Sequence, residues 1–220
     1  MGRVAFQRRR EADGYEGALP FGEPARSAVK VVLGGGFDTV DAGAHLNGVE
    51  VDFQCVFAEV EGAVTAPATG LHFSRELMKR MEINGINEAY ITLHCGLGNF
   101  HDIEVEDLTK HKMDSEQMMI SQEACDLVNK TKLAGHRVCA IGTSVMKATE
   151  TAVGTDGMMK AFDGWTNKFI FPPYDFGLAD CAVANFYHPE STLMMKAYKL
   201  ALENDYKFGC FGDALLILND

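Results

Sequence analysis

No stretch of the 220-residue chain approaches the roughly 20 uninterrupted apolar residues that a membrane-crossing helix requires. The arginine-rich start, Met1 to Arg10, has no apolar run behind it, so a secretory leader is not expected and a cytoplasmic location is. There is no Cys-x-x-Cys pair, and no histidine lies at zinc-ligand spacing from any of Cys55, Cys95, Cys125, Cys139, Cys181 and Cys210. The six cysteines therefore read as dispersed, mostly buried thiols, and no metal site is expected. Cations are in short supply: 20 Lys and Arg face 31 Asp and Glu, for a formal charge of −11. That balance disfavours non-specific nucleic-acid binding, because phosphate affinity comes from lysine and arginine displacing counterions; an RNA partner must meet a local patch. Internal repeats and low-complexity tracts are also missing.

What is present is the mixture of a soluble globular protein, 47% hydrophobic and 23% charged. In the first 62 residues, Ala28-Val-Lys-Val-Val-Leu33 reads as a strand and Gly34-Gly-Gly36 as a turn, without the Gly-Lys-Ser/Thr ending of a phosphate loop. Residues 49–60 alternate like another strand. Beyond Ala63 the pattern is more regular. Ser74 caps a helix that ends at Gly85, with Leu77, Met78 and Met81 on its apolar face. A strand follows over residues 89–94, and a helix from an N-cap at Ser121 to Gly135 presents Ala124, Leu127, Val128 and Thr131. The almost wholly apolar residues 137–141 fit a strand buried on both faces. Strand-like residues 178–184, a helix over 191–204 and apolar residues 214–218 complete an expected α/β architecture.

Four polar and glycine clusters sit where one element gives way to the next, the place where α/β folds gather binding residues. The first sets Thr69, Gly70 and His72 before a helix N-terminus, which favours an anionic or polar ligand. The second puts His94 at a strand end before Gly96 and Gly98, where backbone can approach a ligand closely. The third, Gly142-Thr143-Ser144, opens a helix, and its hydroxyls and N–H groups suit a carboxylate or ribose hydroxyls. The fourth is Asn185-Phe-Tyr-His-Pro-Glu-Ser-Thr192, an amide and aromatics before a proline turn. Each also has a structural reading: Thr143 and Ser144 as a helix cap, His94 as a hydrogen-bonded strand end, Lys110-His-Lys112 as a solvated turn.

Taken together and in order, several blocks resemble the C-terminal part of the S-adenosylmethionine:tRNA ribosyltransferase-isomerases of queuosine biosynthesis. They are Ala66-Pro-Ala-Thr-Gly-Leu-His-Phe73, Thr92-Leu-His-Cys-Gly-Leu-Gly-Asn-Phe100, Val105 to Glu116, Ile141-Gly-Thr-Ser144, Phe169-Ile-Phe-Pro-Pro-Tyr174, Asn185 to Leu193 and Tyr206 to Ala214. The resemblance spans about residues 57–218 and implies a mixed α/β catalytic domain over 57–220. Residues 1–56 are a divergent segment, read as a remnant of the β-rich region, so that the family's inserted β-barrel is reduced or partly absent. It implies an enzyme that moves the ribosyl part of S-adenosylmethionine to 7-aminomethyl-7-deazaguanine at the tRNA wobble position. Epoxyqueuosine forms, and adenine and methionine leave. S-adenosylmethionine is then a co-substrate, and no cofactor is expected. His72 and His94 are the candidate bases. Thr69, Gly70, Gly96, Gly98, Thr143, Ser144 and Asn185 are candidates for holding substrate, and His111, Lys112 and Tyr174 for meeting tRNA. The family pattern has arginine where this chain has Lys147, and histidine where it has Asp114. The alternative reading is a non-catalytic tRNA- or nucleoside-binding remnant; the oligomeric state is open.

Overall fold

The computed structural model describes residues 55–56, 59–63, 68–184, 192–207 and 213–218, and short strands among residues 3–51. Its centre is a nine-stranded sheet. The parallel heart comprises β8 (Glu88–Leu93), β3 (Val29–Gly34), β10 (Arg137–Ile141) and β12 (Cys181–Ala184), in that spatial order. On one side, β9 (Glu116–Ile120) pairs antiparallel with β8, and β11 (Phe162–Thr166) pairs antiparallel with β9. On the other side lie β13 (Ala214–Leu218), β1 (Arg3–Arg10) and β2 (Gly14–Glu16), also antiparallel. Two further sheets have two strands each: β4 (Asp38–Thr39) with β7 (Glu61–Ala63), and β5 (Ala44–Leu46) with β6 (Val49–Val51).

Alternation along β10 explains how both faces are covered. Val138 and Ala140 point into one cluster with α2 (Gln122–Leu133) and α3 (Thr143–Ala152), through Ala124, Cys125 and Val128 of α2 and Val145 and Ala148 of α3. Cys139 and Ile141 point into the other, with Cys55, Phe73 and Cys181, against Leu77, Met78 and Met81 of α1 (Arg75–Ile83). The caps match the sequence reading. Ser74 Oγ accepts from Leu77 N at 3.1 Å, and Ser121 Oγ accepts from Ala124 N at 3.2 Å. The five cysteines among the described residues are buried; Cys210 lies outside them. Cys139 and Cys181 are register partners, and the hydrogen bond between them pushes the Cys139 thiol well above its ordinary range and draws Cys181 down. α4 (Thr192–Glu203) comes after β12 in the chain.

Two readings change. Of the strand expected over residues 49–60, Val49–Val51 is a strand, whereas among the other described residues Cys55 packs into the core beneath α1 and Val56 lies in a turn. Strands β9 and β11 have no counterpart in the sequence reading; β9 buries Glu116, Met118 and Ile120 on alternate positions, and a glutamate at an inward position hides the alternation.

Candidate active site

Open α/β sheets place ligands outside the carboxyl ends of their parallel strands. Here β8 delivers His94-Cys95-Gly96 and β10 delivers Gly142 and the start of α3. β12 leads to Asn185, which lies outside the described residues. Gly142 donates to the Val183 carbonyl at 2.8 Å and adopts φ +97°, a conformation that favours glycine. It occupies the N-cap of α3 and, as a glycine, has no side chain with which to cap the helix, so Thr143 and Ser144 are first-turn residues. Beside Gly142 sits Thr69: a Cβ added to the glycine would come within 3.7 Å of the Thr69 hydroxyl. Thr69, Gly70 and His72 share the short 3₁₀ helix Ala68–His72 and are all buried, His72 to 3% exposure. The first and third sequence clusters therefore meet.

The second cluster joins them through Cys95, whose thiol lies 3.5 Å from the Ser144 hydroxyl. His94 is tied to β9 by its backbone N–H to the Gln117 carbonyl at 2.9 Å. Among the described residues its Nδ1 is buried without a hydrogen-bond partner. Gly62 covers that edge of the ring; at φ +142° its missing Cβ would fall 2.6 Å from Nδ1. Gly96 faces open space, whereas Gly98 is pressed on Asp114, whose carboxylate fills the place of a side chain at 2.6 Å. Between these loops runs a buried ion pair absent from the sequence reading as a contact. Lys147 Nζ lies 2.6 Å from Glu116 Oε2, and Glu116 Oε1 accepts from Gly96 N at 3.1 Å. One edge of α3, Ser144 and Lys147, thus clamps the ends of β8 and β9.

The other edge of α3 faces residues 168–178. Glu150 is 3% exposed and its carboxylate accepts from Gly177 N, Leu178 N and the Tyr174 hydroxyl. Lys168 donates to the Glu150 carbonyl at 2.7 Å and lies 5.6 Å from the Tyr174 ring centroid. Tyr174 also neighbours Phe176 at 5.1 Å. His111 belongs to a different aromatic group, 4.7 Å from Phe169, which is 5.2 Å from Phe171; Lys112 is exposed. A cavity of about 630 Å³ opens between this edge of α3, Tyr174, Phe176 and β12.

Glu116 and Glu150 are the residues that sequence reasoning missed. A usable signal existed: Lys147 and Glu150 share a helix whose remaining residues are small or apolar, and charges on such a helix need buried partners.

These features define an α/β protein with a polar crevice at the carboxyl edge of its sheet, arranged around the first turn of α3. The family model described as Queuosine biosynthesis protein matches residues 40–217, and the chain belongs to that family. It is similar to the S-adenosylmethionine:tRNA ribosyltransferase-isomerase of Phocaeicola vulgatus, at 61% identity over 179 residues, 76% of this chain and 51% of the relative. The enzyme of the same name from Flavobacterium psychrophilum is 53% identical over 178 residues, with the same shares. The crystal structure of S-adenosylmethionine tRNA ribosyltransferase from Thermotoga maritima superposes with a TM-score of 0.52 at 31% identity, covering 67% of this chain and 50% of that one. The chain spans about half the length of the curated relatives it matches.

Proposed function

We propose that this chain carries out, or forms the C-terminal part of a protein that carries out, transfer of the ribosyl moiety of S-adenosylmethionine to the 7-aminomethyl-7-deazaguanine of a tRNA. The observation that supports this most is the meeting of three separate sequence clusters around the start of α3, in a chain of this family. The sulfonium acidifies the neighbouring ribose C5′ proton; a base removes it, adenine leaves, the tRNA amine adds to the opened sugar, and an oxygen then displaces methionine. His94 is our choice of base over His72, because it stands at a strand end on the crevice while His72 is enclosed in the core. The first-turn N–H groups of α3, with the Thr143 and Ser144 hydroxyls, suit the methionine carboxylate or ribose hydroxyls, and Gly96 leaves room beside them. Thr69 and Gly70 form the wall beyond Gly142, and Gly98 shapes the loop through Asp114. His111 with Phe169, and exposed Lys112, offer a stacking and phosphate surface for RNA. The scheme requires no metal or cofactor, and it is consistent with a cytoplasmic protein.

The test is to incubate the purified chain with S-adenosylmethionine and tRNA bearing the aminomethyl precursor, then measure adenine and the mass of the modified nucleoside. Adenine with an epoxyqueuosine mass, lost in His94→Ala, is the expected result. Binding of tRNA or S-adenosylmethionine without release of adenine would instead identify a binding remnant.

A further inference from the structure

We infer that Cys139 and Cys181 are a covalent modification site, closing as a reversible disulfide between β10 and β12 when hydrogen peroxide reaches them. The inference is independent of the proposed activity. The two residues are direct register partners on neighbouring parallel strands, so their side chains leave the same face of the sheet. Adjacent strands lie about 4.8 Å apart, within the roughly 4.4–6.8 Å between Cα atoms that a disulfide spans. The backbone therefore already holds the separation that the bond requires. Cys181 Sγ leans toward β10, 3.8 Å from the Val138 carbonyl oxygen, and Cys139 Sγ lies 4.0 Å from the Ala140 carbonyl oxygen. Both are thiols in this structure, in the buried cluster with Phe73 and Ile141 beneath α1. Two small apolar side chains would account for the burial alone. Direct registry and a sulfur reaching across the strand gap are what a bond needs in addition.

The two thiols differ in a way that assigns their roles. Their mutual hydrogen bond draws Cys181 down and pushes Cys139 up, so Cys181 supplies the thiolate and Cys139 keeps its proton. Cys181 also belongs to the lining of the cavity beside Tyr174 and Phe176, whereas Cys139 is enclosed at 2% exposure, so a small oxidant meets Cys181 first. The Cys181 thiolate attacks one peroxide oxygen, the O–O bond breaks, and a sulfenic acid forms as hydroxide leaves. The Cys139 sulfur then attacks the Cys181 sulfur. The S–O bond breaks, and the hydroxyl departs as water with the Cys139 proton. The first hydroxide takes up the proton that Cys181 had released. In all, the two thiols lose two electrons and two protons, and the peroxide is reduced to two waters. The new bond staples the strands just before Gly142 donates to the Val183 carbonyl at the start of α3.

The experiment treats the folded full chain with hydrogen peroxide, alkylates the remaining thiols, cleaves after lysine and arginine, and maps the peptides by mass. Residues 138–147 and 169–196 form two such peptides, each with a single cysteine, Cys139 in one and Cys181 in the other. The expected result is that these two peptides appear joined, two hydrogens lighter than their sum, and separate again after a thiol reductant. The oxidised chain should also melt at least about 5 °C higher than the reduced one, because the bond closes a long loop of the unfolded chain. In Cys139→Ala, Cys181 should accumulate as sulfenic acid that a carbon nucleophile such as dimedone captures; if that variant fails to fold, the wild-type map decides. Met195, 55% exposed, reports through its sulfoxide that the oxidant was sufficient. Recovery of both cysteines unlinked while Met195 is oxidised would overturn the proposal. So would Cys181 driven to sulfinic acid beside an intact Cys139, or a bond from either residue to Cys55 in place of the pair.

Discussion

Replacing Lys147 by methionine tests whether the Glu116–Lys147 pair holds the crevice together. The two side chains are 11% and 4% exposed and their charged atoms lie 2.6 Å apart, so water screens them little. Removing the amine leaves the buried Glu116 carboxylate without the cation that faces it at 2.6 Å. An uncompensated buried charge of this kind costs about 3–5 kcal/mol. In a chain of this size each kcal/mol moves the melting temperature by about 2–4 °C, so the loss should be on the order of 10 °C. Glu116→Gln combined with Lys147→Met removes both charges while the amide oxygen still accepts from Gly96. The pair of changes should therefore cost about 2 kcal/mol less than the sum of the two single ones. Urea unfolding supplies the numbers, with an unchanged slope confirming that only stability has moved. Lys147→Arg, which keeps the charge, should lose less than half as much as the methionine variant. A Lys147→Met cost under about 1 kcal/mol, or strict additivity in the double variant, would refute the argument that this pair is a buried clamp.

Other changes follow from single contacts. Gly62→Ala places a methyl 2.6 Å from His94 Nδ1 on a backbone at φ +142°, and should destabilise by about 2–3 kcal/mol in thermal unfolding while shifting the His94 ring resonances. Glu150→Ala strips the acceptor from Gly177 N, Leu178 N and the Tyr174 hydroxyl, and should cost about 2–4 kcal/mol and speed amide exchange at residues 177 and 178; Glu150→Gln, retaining one acceptor oxygen, should cost about half. Alkaline pH should weaken the fold. Burial pushes the thiol of Cys125 above its ordinary value of 9.0, so above pH 9 the unfolded chain ionises there while the folded one keeps its proton. The unfolded state then binds fewer protons, and stability falls as pH rises, by at most about 1.4 kcal/mol per pH unit per thiol. Cys125→Ala should flatten that decline between pH 9 and 10.5; Cys181 shifts in the opposite sense, which makes Cys125 the cleaner probe.

Where local chemistry and tertiary packing agree, the sequence could be read directly. Ser74 and Ser121 cap the helices they announce, and the apolar run over residues 137–141 is a strand buried between two helical layers. The Gly142-Thr143-Ser144 cluster lies at the end of that strand and does open a helix, but the cap is the glycine, so the two hydroxyl residues are left to the crevice. The reading fails at positions where a polar residue takes an inward place. Glu116 begins β9 facing the core, and a pattern that counts glutamate as solvent-exposed sees no alternation in Glu116-Gln-Met-Met-Ile120. The same holds for Lys147 and Glu150 on α3, each buried among small and apolar neighbours and satisfied only by residues distant in the chain. Local patterns cannot register a partner about 30 positions away, such as Glu116 for Lys147 or Leu178 for Glu150.

The two partnerships also explain how α3 organises the site. Ser144 and Lys147 recur at helical spacing on one edge and hold the ends of β8 and β9; Thr143, Met146 and Glu150 recur on the other and hold residues 174–178. Val145, Ala148 and Ala152 form the stripe between them, buried against the sheet. A single ten-residue helix thus has a different set of partners on each edge at the carboxyl end of the sheet. The reaction we propose brings together a nucleoside co-substrate and a base on a large RNA, and such a division suits it. One compartment is lined mostly by apolar residues and the other carries the buried Glu116–Lys147 pair, and the first turn of α3, with its backbone N–H groups oriented along the helix, lies between them.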